Sequence, residues 1–267
     1  MTDPLLRIAA ALERLSPPPP PAADPLAHPA YGWDGAVLAA ARGFRPLPIE
    51  RLVGIDVQRD ALTANLARLA AGSAAHDVLL WGARGTGKSA LVKAAVGAAQ
   101  AEGGSLALIE VPGDALASLP RLFDRLAAVG RAFVVFVDDI GFADGDIGPR
   151  LLRSALEGGA EARPDNARLY VTSNRRHIVA RDLAEQDSAI NQRDVVDDRL
   201  ALADRFGLSV GFHAVDQDTY LAIVTAHAAP LGLAFDPADA IAWSVARGGR
   251  SGRVAAHYVV ELAGRTG

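Results

Sequence analysis

The stretch "LLWGARGTGKSALV", Leu79 to Val92, decides the fold. Its first residues are apolar and read as a buried strand, and its last read as the opening of a helix. Between them "GARGTGKS", Gly82 to Ser89, fits the spacing G-x-x-x-x-G-K-[ST] in the strand–loop–helix setting that spacing needs. Glycines here let consecutive backbone N–H groups curl around an anion with no Cβ in the way. They do so at a helix N-terminus, whose dipole also favours negative charge. Lys88 would reach the outer phosphates of a nucleoside triphosphate, and the Ser89 hydroxyl would ligate magnesium. Gly82, Ala83, Arg84, Gly85, Thr86, Gly87, Lys88, Ser89 and Ala90 are the candidate nucleotide-binding residues. The alternative is an ordinary glycine-rich turn.

The flanking sequence alternates strand and helix. After "DVLLWG" and a helix from Gly87 come a strand "SLALIEV" and a helix "DALASLPRLFDRLAAVG". Then follow a strand "AFVVFVDD", a helix "IGPRLLRSALEGG", and the strands "RLYVTSN" and "LSVGFHAV". Short continuous apolar strands separated by helices predict a parallel sheet covered on both faces. The five strand signals predict five strands. Beyond Asp216 they stop, and "DQDTYLAIVTAHAAPLG", "DPADAIAWSVARGG" and "RSGRVAAHYVVELAG" read as three helices. Upstream, "DPLLRIAAALERL" has helical spacing and ends at the proline run "SPPPPPAADP", which reads as a semi-rigid spacer. In "YGWDGAVLAAARGFRPLPIERLVGID" two aromatics anchor the segment to the body, and residues 54–73 read as a helix ahead of the glycine-rich run. The expected division is 1–25 as N-terminal helix and linker, 26–215 as the α/β nucleotide-binding domain, and 216–267 as a helical lid.

Composition narrows the function classes. The 267 residues are 50% hydrophobic and 22% charged, which is globular composition. A formal net charge of −4 provides no general attraction to nucleic acid or anionic membrane. The absence of cysteine excludes disulfides, thiolate metal sites and cysteine nucleophiles. No apolar run approaches the roughly 20 residues of a membrane span. "MTDPLLR" lacks the basic start of a secretory signal, so a cytoplasmic protein is the default expectation.

Hydrolysis would need acids beside the phosphates. "FVVFVDD" is an apolar strand ending in two of them, the shape of a Walker B strand. Asp138 would hold magnesium. Asp139 stands where many ATPases place a glutamate that polarises the attacking water; the alternative is a strand-end acid capping the next turn. No N-K-x-D guanine motif is present, and the helical C-terminus does not match a small-molecule kinase. Three further elements point to the AAA+ class. Asn174, ending the strand "YVTSN", would lie between the two phosphate-contacting strands and act as sensor 1, or else make an ordinary turn. Arg205 in "ALADRFGLSV" resembles the arginine of branch-migration motors that completes the adjacent subunit's active site. Its alternative is a helix-end arginine complementing the macrodipole. Arg253 in "GGRSGRVAAHYVV" takes the sensor 2 place, with Arg250 as runner-up.

Taken together, "LLWGARGTGKSALVKA", "FVDDIGF", "LLRSALEGG", "YVTSNRRH", "ALADRFGLSVGF", "DQDTYLAIV" and "GRSGRVA" resemble a bacterial AAA+ ATPase family defined as a domain of unknown function. The likeness runs from about Pro46 to the C-terminus, and "TSNRRH" with "DRFGL" is its most specific part. It implies the P-loop NTPase (AAA+) fold, with ATP or ADP and magnesium at Gly85, Gly87, Lys88, Ser89 and Asp138. No substrate comes with it. "DD" in place of "DE" also occurs in replication initiators of that class, so hydrolysis is compatible with it.

Three functional expectations follow. The first is a magnesium-dependent ATPase, a homo-oligomer with Arg205 acting in trans, that remodels a protein partner. The second is a nucleotide-gated switch with little or no hydrolysis, favoured by the shorter acid at Asp139. The third is a DNA-associated loader, which leans on the cluster Arg175, Arg176 and His177 and on analogy with the class. With Arg181 and Arg193 that cluster could form a basic patch, for which a subunit-interface or nucleotide role comes first. No interleaved aromatics support base stacking there, so nucleic acid is the less favoured partner. The acid-rich "ARDLAEQDSAINQRDVVDD" reads as a surface excursion near the subunit interface. Glu157 could approach the same region, but the favoured reading is a helix-end acid.

Overall fold

The computed structural model describes residues 22–141, 147–157, 163–174 and 203–266, together with isolated positions between 3 and 11. Among those isolated positions Pro4, Leu5, Arg7, Ile8 and Ala11 are helical, and the Asp3 carboxylate accepts from the Leu5 N–H at 2.9 Å. The basic cluster at Arg175, Arg176, His177, Arg181 and Arg193, and the acid-rich segment around it, lie outside the described residues.

Among the described residues seven strands form one sheet: β1 (Ala30–Trp33), β2 (Leu38–Ala40), β3 (Val78–Gly82), β4 (Leu106–Glu110), β5 (Ala132–Val137), β6 (Ala167–Ser173) and β7 (Leu208–Phe212). Their order is β2-β1-β4-β5-β6-β3-β7, with every neighbouring pair parallel except β1–β2. The five expected strands are present, and the expectation of five is corrected to seven. The two extra strands form a hairpin that extends the β4 edge. In its turn the Asp34 carboxylate accepts from the Ala36 and Val37 N–H groups at 2.8 and 2.7 Å, and Gly35 takes a φ of +100°. Both strands are short and rich in glycine and alanine, so they lack the apolar run that marks the others. The two aromatics do anchor this segment. Tyr31 and Trp33 are buried, the Tyr31 hydroxyl donates to the Asp24 carbonyl at 2.7 Å, and Trp33 Nε1 donates to Ser118 Oγ at 2.7 Å.

Helices cover both faces because alternate strand residues are apolar on both. Phe133, Val135 and Val137 of β5 join the core formed with α3 (Leu119–Ala127) and α4 (Gly148–Glu157). Ala132, Val134 and Phe136 join the opposite core, under α1 (Asp56–Ala70) and α2 (Lys88–Ala101). Every residue of β5 is buried, as a parallel strand between two helical layers requires. The helix expected from residue 114 divides into a 3-10 stretch, Gly113–Ser118, followed by α3, which carries Pro120 in its first turn.

The last three helices, α5 (Gln217–Ala228), α6 (Pro237–Ala246) and α7 (Gly252–Thr266), pack around a third core containing Tyr220, Val224, Ala240 and Tyr258. The Asp216 and Asp236 side chains cap α5 and α6 by accepting from Thr219 N and Ala238 N. Among the described residues no helix is long and apolar enough to cross a membrane.

Candidate functional site

Because β5, β6 and β3 are adjacent and parallel, the segments leaving their C-terminal ends meet at one edge. That edge of an open parallel sheet is where ligands bind in such folds. β3 ends in the glycine-rich loop, β5 in Asp138 and Asp139, and β6 in Asn174. Asn174 therefore leaves the strand that lies between the other two.

The loop takes backbone conformations that call for glycine. Gly85 and Gly87 sit at φ +76° and +99°, in the left-handed region where a Cβ is disfavoured. Gly87 is the N-cap of α2. Lys88 is 4% exposed, and its Nζ donates to the carbonyls of Gly82 and Ala83 at 3.0 and 2.7 Å. Burial lowers its pKa below the ordinary lysine value, while the charges of Asp139 and Asp138 act in the opposite sense. Thr86 Oγ1 donates to the Ala83 carbonyl at 2.8 Å, closing the loop on itself.

Across the loop the Ser89 hydroxyl donates to Asp138 Oδ1 at 2.6 Å. The same oxygen accepts from Thr172 Oγ1 at 2.5 Å. Asp139 is the one non-glycine residue with positive φ among those described, at +55°. Its N–H donates to Thr172 Oγ1 at 2.8 Å, and its carboxylate accepts from Asn174 Nδ2 and faces Arg84 Nη2 at 3.7 Å.

A cavity of about 570 Å³ fronts these groups. Of the residues expected to hold nucleotide, Arg84, Gly85, Thr86, Gly87, Lys88, Ser89, Ala90 and Arg253 line it, as do Asp138, Asp139 and Asn174. Gly82 and Ala83 stand behind it, where their carbonyls hold Lys88. α7 closes one side: the Gly252 N–H donates to the Gly85 carbonyl at 2.9 Å. Arg250, the runner-up to Arg253, instead approaches Gln217 at 3.4 Å. Arg205 lies outside the cavity wall and is paired with Glu157 of α4 at 2.5–2.8 Å. Glu157 thus does reach the arginine, beyond the helix-end role expected of it.

Several lining residues escaped the sequence reading. Leu47, Arg51, Leu52, Val53 and Ile55 form one wall, and Ile223 and His227 of α5 face the same space. Burial, and secondarily the charge of Arg51, lower the pKa of His227. The apolar run "PLPIERLVGI" ahead of the strand was a readable signal for that wall. His227 and Thr172 carried none, because nothing local marks which way a helix or strand residue faces.

A family model described as a protein of unknown function (DUF815) matches residues 26–266. The chain belongs to that family. No curated protein matches it. The fold is similar to that of the Holliday junction branch migration motor RuvB of Thermotoga maritima, with a TM-score of 0.52 at 19% identity. That likeness covers 81% of this chain and 64% of the RuvB chain. The Aeropyrum pernix Orc1 protein, solved in complex with DNA, is similar at a TM-score of 0.56 and 17% identity, over 82% of this chain and 65% of its own. The chain thus spans slightly less than two thirds of either protein. The α/β body with its mostly parallel sheet has the AAA+ P-loop fold that these proteins share.

The residues present suit a nucleotide with a divalent cation. A hydroxyl and a carboxylate 2.6 Å apart offer only hard oxygen donors, which match magnesium. The loop beside them presents a buried lysine and two glycines in left-handed conformations at a helix N-terminus, a setting that suits phosphate.

Proposed function

We propose that this DUF815 chain is a magnesium-dependent ATPase of the AAA+ class that works as a homo-oligomer to remodel a protein partner. The observation that carries the reading is the Ser89–Asp138 contact at 2.6 Å, set directly across the glycine-rich loop that holds Lys88. ATP with magnesium would supply the phosphoanhydride bond and the cationic charge that offsets phosphate. Every other task falls to the chain. Lys88, now bonded to two loop carbonyls, would turn its charge towards phosphate. Ser89 and Asp138 would hold the cation. Asp139 would accept the proton of the attacking water, and Asn174, already bonded to Asp139, would orient that water. Arg205, outside its own cavity wall, would project its charge into a neighbour's site.

In this reading residues 26–215 form the nucleotide-binding body and 216–267 a lid, joined to the linker region 1–25. The apolar wall from Leu47 to Ile55 would face the base, with Ile223 and His227 opposite. Arg253, on the helix that contacts Gly85, would couple lid position to nucleotide state.

The test is steady-state ATP hydrolysis across a range of protein concentrations for wild type, Lys88→Ala and Arg205→Ala. Specific activity should rise with concentration and both variants should be inactive. Mixing Arg205→Ala with Asp139→Asn should restore part of the activity, since each supplies what the other lacks. Turnover independent of concentration and unchanged in Arg205→Ala would refute the shared site.

One observation favours the switch reading. Asn174 and Arg84 both engage the Asp139 carboxylate, and groups so engaged must release it before it can act as a base. Tight ATP binding with no turnover at any concentration would select that reading. The RuvB and Orc1 likenesses support the fold alone, so DNA is not proposed as a partner.

A further inference from the structure

The end of β5 is held by a single residue of the neighbouring strand. The β5–β6 ladder reaches Val137 opposite Val171. The next residue of β6, Thr172, then bonds three consecutive residues of the turn that follows β5. Its Oγ1 donates to Asp138 Oδ1 at 2.5 Å, the Asp139 N–H donates to that same Oγ1 at 2.8 Å, and the Ile140 N–H donates to its carbonyl at 2.9 Å. A hydroxyl has one proton and two lone pairs. An amide N–H can only donate, so the Asp139 bond takes a lone pair of the hydroxyl and leaves its one proton for the Asp138 carboxylate. Thr172 is 1% exposed, so water does not compete for these bonds. As a β-branched strand residue it also has little χ1 freedom in which to lose them.

We propose that Thr172 is the positioning residue of the site. Its hydroxyl orients the Asp138 carboxylate towards the cation, and its acceptance of the Asp139 N–H holds the chain in the left-handed turn that aims the second carboxylate. The proposal rests on the nucleotide-and-cation reading of the site. Thr172 acts through the two aspartates and touches neither phosphate nor metal. Ser89 also donates to Asp138 Oδ1, but its oxygen is a prospective cation ligand, and its hydrogen bond must reorganise when a cation arrives. The bond from Thr172 has no such second duty, and among the described residues it is Thr172 whose hydroxyl both donates to the Asp138 carboxylate and accepts from the Asp139 N–H.

The experiment compares wild type, Thr172→Val, which keeps the shape and removes the hydroxyl, and Thr172→Ser, which restores it. Mn2+ is titrated into each ADP-saturated protein and read by electron paramagnetic resonance. ADP affinity in EDTA and kcat and KM for ATP are measured alongside. Partners that orient a metal ligand are typically worth about 10–100-fold in affinity or activity, and Thr172→Val should lose Mn2+ affinity and kcat by that factor. ADP affinity in EDTA and KM should be unchanged, and Thr172→Ser should stay close to wild type. Mn2+ affinity in Thr172→Val equal to wild type overturns the proposal, as does a loss in Thr172→Ser as large as that in Thr172→Val. If Thr172→Val does not fold, Thr172→Ala, which cannot overpack, carries the same expectation. Wild type that binds Mn2+ and ADP without hydrolysing ATP would refute the ATPase reading alone, and the Mn2+ data would still decide the role of Thr172. Wild type that binds no nucleotide overturns both.

Discussion

Gly85→Ala is a substitution whose cost divides cleanly between backbone and packing. Gly85 stands at φ +76°, where a Cβ crowds its own carbonyl at a cost of about 1–2 kcal/mol. A Cβ there would also lie 2.8 Å from Ser251 Oγ and 2.9 Å from Ser251 Cβ. Carbon atoms rest at about 3.5–4.0 Å, so the start of α7 would have to withdraw by roughly 0.6–1 Å. That withdrawal would stretch the 2.9 Å bond from Gly252 N to the Gly85 carbonyl. Overpacking of this kind costs about 1–3 kcal/mol, which brings the total to about 2–5 kcal/mol. Ser251→Gly removes both clashing atoms. In that background Gly85→Ala should cost only the backbone part, about 1–2 kcal/mol. The coupling energy across the cycle should therefore be about 1–3 kcal/mol. Ser251→Gly carries its own penalty, since Ser251 Oγ accepts from Val254 N at 3.2 Å, but that cancels in the cycle. Urea unfolding of the four proteins, followed by tryptophan fluorescence with m-values compared, measures it. If Gly85→Ala costs the same in both backgrounds to within about 0.5 kcal/mol, α7 does not rest on the loop. The proposed coupling of Arg253 to nucleotide would then lose its structural basis.

Three further outcomes are expected. Burial, with the hydrogen bond to Asp239 and that carboxylate's charge, pushes the Tyr258 hydroxyl up to about 12 from an ordinary 10.0. Between those values the folded chain keeps a proton that the unfolded chain has lost, so stability falls as pH rises through the window. Tyr258→Phe should lack that contribution, and superimposable alkaline unfolding differences between it and wild type would contradict this. Arg163 and Asp77 form a largely buried two-bond pair at 2.5 and 2.8 Å, and Asp77 also accepts from Leu169 N at 2.7 Å. Arg163→Ala leaves that carboxylate uncompensated and should cost about 3–5 kcal/mol in urea unfolding; a loss below about 1 kcal/mol would show the pair to be solvated. Glu157→Gln breaks a more exposed pair with Arg205 and should change stability by less than about 1 kcal/mol, so a large drop in melting temperature would reveal a structural role.

The glycine-rich loop, the apolar strands and the two aspartates after β5 were legible because each depends on neighbours in the chain. A phosphate cradle needs glycines at fixed spacing, and a doubly covered strand needs an unbroken apolar run. The β1–β2 hairpin was less legible. Its Asp34-Gly35 turn is a readable signal, but strands of only four and three residues owe their place to pairing with β4 and to the burial of Tyr31 and Trp33. Sequence alone determined the strand–loop–helix segment and most of the polar residues that line the cavity. Tertiary structure decided how those residues are held. Thr172 lies 33 residues from Asp139, Ser251 lies far along the chain from Gly85, and Glu157 is 48 residues from Arg205. These contacts exist only because parallel strand order and helix docking bring distant segments to one edge of the sheet. Local periodicity encodes which face a residue takes, but not what the opposing element will place against it.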